Sequence, residues 1–130
     1  MTPDFQRFST GNQWERAYAF SRGVRAGDLI FIGGTAPVAA DGSTFAPGDA
    51  RAQTLRCFEI VEKTLAEMGA GRQHIVRSRM YVTDISRSDE FGRAHAEFFG
   101  DHRPGLTMVE VSGLIDPAML VEVECDAVGP

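Results

Sequence analysis

Polar and apolar residues alternate along two runs in the C-terminal part of the chain. The runs cover residues 106–111 and 120–126, and an Ile-Asp-Pro connection at 115–117 lies between them. A period of two and a high content of β-branched residues predict strands, and the Asp-Pro pair predicts a turn. In the second run Val121, Val123 and Cys125 share one face and three acidic residues share the other. We expect the apolar face to lie on the core.

Three further segments have strand character. Residues 17–24 form a short candidate, and the apolar run at 29–32 predicts a strand buried on both faces. That run ends in Gly33 and Gly34. Such a pair indicates either a bulge or turn, or the close approach of another group to the backbone. Residues 75–83 alternate again, which directs Val76, Met80 and Val82 toward the core.

Apolar residues at helical spacing predict two helices. Asp49 suits the positive N-terminal end of the first helix, and Gly69 and Gly71 end it. Residues 86–88 supply serines that can cap the second helix, which Gly100 closes. The two apolar stripes consist of Phe58, Val61, Leu65 and Met68, and of Phe91, Ala94, His95 and Phe98.

The resulting order of elements is β-β-α-β-α-β-β, with residues 1–16 as an irregular lead-in. Two such helices cover one face of a four- to five-stranded sheet, which predicts an α+β, two-layer sandwich in a single domain over residues 1–130. The opposite face then carries Arg77, Arg79, Tyr81, Leu106, Met108, Glu110, Glu122 and Glu124. This mixture of apolar and charged residues favours a surface covered by another subunit, and a solvated face with scattered apolar residues is the alternative.

Composition narrows the function classes. The net charge of −5 argues against sequence-independent binding of nucleic acid, which needs a basic surface. The sequence contains neither a run long enough to span a bilayer nor a signal-peptide pattern. Cys57 and Cys125 have no metal-type spacing, so we interpret them as reduced core thiols of a cytoplasmic protein and expect neither a metal nor a cofactor.

Several segments in order resemble the RidA/YjgF family, which also carries the name endoribonuclease L-PSP family. They are the VRAGDLIFIGG stretch at 24–34, YVTD at 81–84, the Phe98-Phe99 pair and residues 104–127. The resemblance implies a chorismate-mutase-like fold and a homotrimer whose sheets line a central barrel. It also implies ligand clefts between neighbouring subunits. Characterised members hydrolyse reactive enamines and imines to keto acids and ammonia.

The resemblance also locates a site. The family glutamate that orients the attacking water matches Glu122, which is predicted to be catalytic. The arginine that grips the substrate carboxylate matches Leu106, the serine hydroxyl matches Gly33, and the tyrosine of the first strand matches Phe20. The reactive cysteine of some members matches Met108. An apolar side chain offers no donor to a carboxylate, so the chain resembles a divergent branch of the family that lacks this arginine.

Gly34 and Arg79 complete the predicted substrate-binding set of Phe20, Gly33, Gly34, Arg79, Leu106 and Met108. Glu122 either acts on water, with a pKa raised by apolar surroundings, or forms a structural ion pair with Arg77 or Arg79. Arg79 either replaces the missing cation or pairs with Glu110 or Glu124.

Three hypotheses for the function follow. The first is a hydrolase or deaminase that acts on enamines, imines or related small molecules in an intersubunit cleft. The second is a non-catalytic trimer that binds a metabolite. The third is a ribonuclease, against which the acidic charge and the lack of a basic groove argue.

Overall fold

A computed structural model describes residues 4–130. The strands are β1 (Gln6–Phe8), β2 (Gly23–Ala26), β3 (Leu29–Thr35), β4 (Ile75–Val82), β5 (Gly105–Glu110) and β6 (Val121–Val128). The helices are α1 (Gln13–Ala17), α2 (Ala50–Glu67) and α3 (Ser88–Phe99), with single 3-10 turns at Arg72–His74, Ile85–Arg87 and Gly100–His102.

The six strands form one sheet in the order β1-β2-β3-β6-β4-β5. All neighbours are antiparallel except β4 and β5, which are parallel. Helices α2 and α3 pack against each other, and the core lies between them and one face of the sheet. The predicted α+β, two-layer sandwich is therefore confirmed. The strands β5 and β6 follow each other in the chain but do not pair, because β4 lies between them.

The N-terminal region differs from the sequence prediction. The predicted irregular lead-in contains β1 and α1, and its residues 1–3 lie outside the described part of the chain. Asn12 starts α1 because its Oδ1 accepts a hydrogen bond of 2.7 Å from the Trp14 amide. The predicted strand at 17–24 is wrong over most of its length, since α1 ends at Ala17 and β2 begins at Gly23.

The two long helices form much as predicted. Asp49 caps α2 through a 2.9 Å hydrogen bond from the Ala52 amide, and Gly69 ends the helix with a φ of +77°. All eight predicted stripe residues are buried. The capping of α3 was predicted wrongly: no side chain caps it at Arg87, and Asp84 instead caps the 3-10 turn that precedes the helix.

Two predictions of burial are wrong for this chain. Val76 is 52% exposed, because the pairing of β4 with β6 shifts register between Ile75 and Arg77 and turns Ile75 inward instead. The apolar run of β3 is buried on one face only. Its residues Leu29 and Phe31 are about half exposed on the face that no helix covers. We call this second face of the sheet the open face.

The phase of β5 is the largest correction to the predicted faces. Laterally paired residues in a sheet point to the same side. Leu106 pairs with Ser78 and Met108 pairs with Met80, and both partners are fully buried under the helices. Leu106, Met108 and Glu110 therefore point toward the helix side, and Met108 packs against the core. They were predicted to lie on the open face, which β5 instead supplies with Thr107 and Val109.

Candidate functional site

Glu122 lies on the open face, in a lateral row with Tyr81 of β4 and close to Gly34 of β3. A Cβ atom added to Gly34 would lie 2.8 Å from Glu122 Oε2, which is closer than real contacts allow. The same atom added to Gly33 would meet only the Ser21 and Arg22 carbonyl oxygens, at an ordinary 3.6 and 3.7 Å. Gly34 is therefore required so that the carboxylate can lie against the backbone.

The backbone at the glycine pair is also irregular. The pairing of β3 with β6 shifts register between Ile32 and Thr35, which is a bulge at the position of the two glycines. Both interpretations of the pair apply, since a bulge and a close approach occur together. The strand continues through the glycines to Thr35 and does not end at them.

A buried arginine is hydrogen-bonded to this backbone segment. Arg22 is only 9% exposed, and its guanidinium donates hydrogen bonds to the Gly34 carbonyl and to Thr35 Oγ1. Within residues 4–130, no carboxylate oxygen lies within ion-pair distance of it. Burial lowers the pKa of Arg22, and the negative charges of Glu15 and Glu122 oppose that shift.

Glu15 is the second buried charged residue near Arg22. It is 3% exposed in α1, and its carboxylate accepts hydrogen bonds from the backbone amide and the hydroxyl of Thr10. The Arg22 amide in turn donates to the Phe8 carbonyl at 2.8 Å. The N-terminal segment is thus attached to the strand that precedes the glycine pair, and a carboxylate–guanidinium attraction supports the attachment.

Burial raises the pKa of Glu122 above that of a solvated glutamate. The nearby Arg22 charge opposes the shift, and the neighbouring Glu124 charge adds to it. A carboxylate with a raised pKa is a better proton acceptor than an ordinary one, because its basicity lies closer to neutral pH. Burial thus makes the Glu122 carboxylate more basic than a solvated one.

Arg79 and Tyr81 belong to a charged network on the open face. Arg79 Nη1 lies 3.3 Å from Asp126 Oδ2 and 3.7 Å from Glu124 Oε1. The Tyr81 hydroxyl donates to Glu124, and this bond raises the pKa of the phenol. Of the two ion-pair partners considered for Arg79, Glu124 is confirmed. Glu110 is wrong, because it faces away and accepts from the Ile85 amide.

Residues 10–129 match the sequence pattern of the endoribonuclease L-PSP family. The chain belongs to this family. An uncharacterised protein of Streptomyces coelicolor is 35% identical over 122 residues, which cover 94% of this chain and 90% of that protein. A crystal structure of a YjgF/YER057c/UK114 family member from Mycobacterium tuberculosis has 42% identity and a TM-score of 0.86, with 96% of this chain and 99% of that chain covered. The 3-aminoacrylate deaminase RutC of Acinetobacter baylyi is 25% identical over 100 residues, covering 77% of this chain and 79% of that protein. The resemblance to the RidA/YjgF family is confirmed.

The remaining predicted site residues of this L-PSP family chain do not all lie near Glu122. Leu106 and Met108 are on the helix side of β5, so within one chain they do not form the apolar surroundings predicted for its carboxylate. Phe20 lies in the connection before β2 and is 41% exposed. Its ring lies 5.5 Å from the Arg22 guanidinium and lines a cavity of about 220 Å³ together with Glu15.

Sequence reasoning missed Arg22 and Glu15. The sequence contained one signal for Glu15. It lies three residues after Asn12, and this spacing is typical of the start of a helix. For Arg22 there was no signal. An arginine next to a glycine is normally exposed, and its burial depends on how the N-terminal segment folds back over β2.

The two cysteines of this family member are structural. Cys57 and Cys125 are free and fully buried, and burial raises the pKa of Cys125 to about 12. Neither thiol is thus available as a thiolate nucleophile near neutral pH. Over residues 4–130, no helix has the length and apolar character that would let it cross a membrane.

Proposed function

We propose that this protein binds a small organic molecule beside Glu122 and hydrolyses an enamine or imine to a carbonyl compound and ammonia. The observation that carries the proposal is the carboxylate of Glu122, which lies against Gly34, is half-buried and has a raised pKa. The deaminase RutC, whose name gives an enamine, 3-aminoacrylate, as its substrate, supports the same reaction class.

The reaction needs one proton acceptor and one water. Glu122 takes a proton from the water as the water oxygen attacks the carbon of the protonated imine, and the new C–O bond gives a neutral carbinolamine. That proton then passes to the nitrogen. As the C–N bond breaks, the carboxylate takes the remaining hydroxyl proton, which forms the carbonyl, and passes it to the departing ammonia, which leaves as ammonium and restores the carboxylate. An enamine enters this sequence when a proton from solvent adds to its carbon and gives the protonated imine. General acid–base catalysis of this kind contributes roughly 10²–10⁴-fold to a rate.

The substrate we propose is more apolar than a 2-iminoacid, or differently charged. Leu106 occupies the position of the carboxylate-binding arginine and offers no hydrogen-bond donor. A carboxylate bound against it would lose its hydration without a replacement, which costs several kcal/mol or more. Retention of Glu122 together with loss of this arginine favours the same chemistry on a different substrate.

We further propose that the working form is a homotrimer joined through the open face. Leu29, Phe31 and Val109 expose apolar side chains there, each between 41% and 50% exposed in the single chain. Exposed apolar groups next to a charged network are typical of subunit interfaces. Within one chain Leu106 and Glu122 lie on opposite sides of the sheet, so a cleft that contains both needs two chains.

The alternative is a trimer that binds a metabolite without turning it over. The observation that favours it is the loss of polar groups at three positions that carry them in the family, namely Phe20, Gly33 and Leu106. In this case the cleft keeps its shape but has lost the polar groups that hydrolysis needs. A ribonuclease remains the least supported hypothesis, because the net charge is −5.

Imine hydrolysis measures the proposal directly. Amino-acid oxidases generate imines of graded polarity in situ, and carbonyl formation is followed with and without the protein. We expect acceleration for apolar imines and a loss of about 10²-fold in Glu122→Gln. Glu67→Gln is the matched control, because Glu67 is an exposed glutamate at the end of α2. If no imine is hydrolysed faster, and Glu122→Gln equals wild type, the hydrolase proposal is wrong and the non-catalytic alternative is favoured. If Leu106→Arg alone gains activity on 2-iminoacids, the cleft is intact and its substrate has changed.

A further inference from the structure

A cavity of about 520 Å³ lies on the helix side of the molecule, between the N-terminal segment, the loop after β3 and α2. This volume falls within the range of roughly 300–1,000 Å³ that is typical of small-molecule sites. Among the described residues that line it are Arg22 and Thr35, but neither Gly34 nor Glu122. The cavity is therefore separate from the surface against which the Glu122 carboxylate lies.

Three cationic side chains line this cavity in a protein whose net charge is negative. Arg22 is buried, Arg56 is half-buried and Lys63 is exposed at the outer part of α2. Of the described lining residues only Glu59 is acidic, and it is largely exposed and hydrogen-bonded to Arg56 at 3.3 Å. The cavity thus has an excess of positive charge, which favours an anionic ligand.

Arg22 has unused hydrogen-bonding capacity inside this cavity. Both of the hydrogen bonds that its guanidinium donates within residues 4–130 use Nη1, so that Nε and Nη2 keep their donors for another partner. A buried guanidinium without an ion pair is costly, and an anion that accepts from the free donors reduces that cost. The planar fork of donors fits a carboxylate in a bidentate arrangement.

The rest of the lining is a mixture of apolar and polar groups, and Ser9, Thr10, Asn12 and Thr64 supply polar ones. Phe8, Val38 and Ile60 face the cavity, together with alanines of the loop after β3. An inorganic anion leaves this surface without a partner, whereas a hydrocarbon chain or ring covers it. We propose that the cavity binds a small organic carboxylate, with its carboxylate on Arg22 and its hydrocarbon part against these apolar side chains.

Calorimetric titration of the intact protein with acetate, butyrate, hexanoate and inorganic phosphate tests this proposal. We expect affinity to rise with chain length by up to about fourfold for each buried methylene, and hexanoate to bind more tightly than phosphate. Arg22→Gln should weaken hexanoate binding by about tenfold or more, and Lys63→Gln by a few fold. Backbone NMR shifts on titration should map to Phe8, Thr35 and Ile60.

Two matched variants establish that binding depends on the charges of this cavity and on no other arginine or carboxylate. Arg93→Gln removes an exposed arginine of α3 that is ion-paired with Asp89, and should leave binding unchanged. Glu122→Gln should not weaken binding, because it removes a negative charge that acts on Arg22, so that the cavity site holds whether or not imine hydrolysis is found. If Arg22→Gln does not fold, Lys63→Gln at the exposed mouth still measures whether binding depends on the positive charge of the cavity.

The proposal is wrong if none of the three carboxylates binds at millimolar concentration. It is also wrong if affinity is independent of chain length, or if phosphate binds as tightly as hexanoate, because the apolar lining then plays no part. Equal binding by wild type and Lys63→Gln, together with NMR shifts outside the cavity, would place the carboxylate elsewhere.

Discussion

The two faces of the sheet arise from the same alternation along the strands, but they differ in how far their side chains are buried. On the helix-covered face, Ile30, Met80 and Val123 are completely buried within one chain. On the open face, Phe31 remains 46% exposed and lies laterally next to Asp126, at the edge of the network of Arg79 and Glu124. The chain itself thus buries the apolar side chains of the helix-covered face, whereas a single chain leaves apolar side chains of the open face in water.

This difference assigns the stability of the single chain to one face of the sheet and the proposed function to the other. A core residue contributes to folding through contacts that one chain supplies, so its effect does not depend on protein concentration. In the homotrimer that we propose, residues of the open face, including Glu122, gain their full surroundings only from a second chain. The catalytic proposal and the assembly proposal therefore both concern the open face.

Truncating one aromatic residue on each face gives the largest contrast. Phe58→Ala should lower the free energy of unfolding by about 3–5 kcal/mol, because its ring is fully buried and stacks 5.0 Å from Phe98. Phe31→Ala should cost far less within one chain but should lower the molar mass of the assembly. Urea denaturation and light scattering after gel filtration measure the two effects.

Two outcomes of that experiment would break the comparison. An unchanged molar mass and an unchanged stability in Phe31→Ala would show that no partner covers the open face. A loss in Phe31→Ala as large as in Phe58→Ala, at every protein concentration, would show that Phe31 belongs to the core of the single chain.

Substitutions of the two glycines test whether the close approach of Glu122 to the backbone matters for function. Gly34→Ala places a methyl carbon 2.8 Å from Glu122 Oε2 and should push the flexible carboxylate toward solvent. We expect at least a tenfold loss of hydrolysis, a fall in the pKa of Glu122 and a stability loss below about 1 kcal/mol. Carboxyl-carbon NMR titration follows the pKa. Gly33→Ala is the matched control and should behave as wild type. Equal effects of both substitutions would mean that the close approach is unimportant.

The smallest expected effect is the pH dependence of stability due to Glu122. A raised pKa in the folded state means that the folded chain holds this proton more tightly than the unfolded chain does. Stability from this group is therefore present below the ordinary glutamate pKa and falls as the pH rises through the raised value. Solvent screening of the half-exposed side chain should keep the change below about 1 kcal/mol.

Glu122→Gln isolates this contribution. The variant should become more stable relative to wild type as the pH rises from 4 to 7, and denaturation curves across that range give the difference. A difference in stability that is constant with pH would contradict the raised pKa.

The sequence by itself determined the elements whose patterns depend on local chemistry. Asp49 and Gly69 bounded α2 because capping and a left-handed residue act within one turn of a helix. The alternation of β6 assigned Glu122 to one face and Val121 and Val123 to the other, because the buried and partly exposed positions of β6 keep a period of two.

Tertiary structure alone decided the phase of β5 and the burial of Arg22. Both faces of β5 contain apolar residues, so only its parallel register with β4 turned Leu106 and Met108 toward the helices. Tertiary pairing also decided the position of Val76. A bulge in β4 turned it outward, because one extra residue exchanges the two faces of a strand. Arg22 became buried when the N-terminal segment folded over it and left it at the floor of a cavity. Register, bulges and long-range closure depend on contacts between residues far apart in the chain, which a local pattern does not contain.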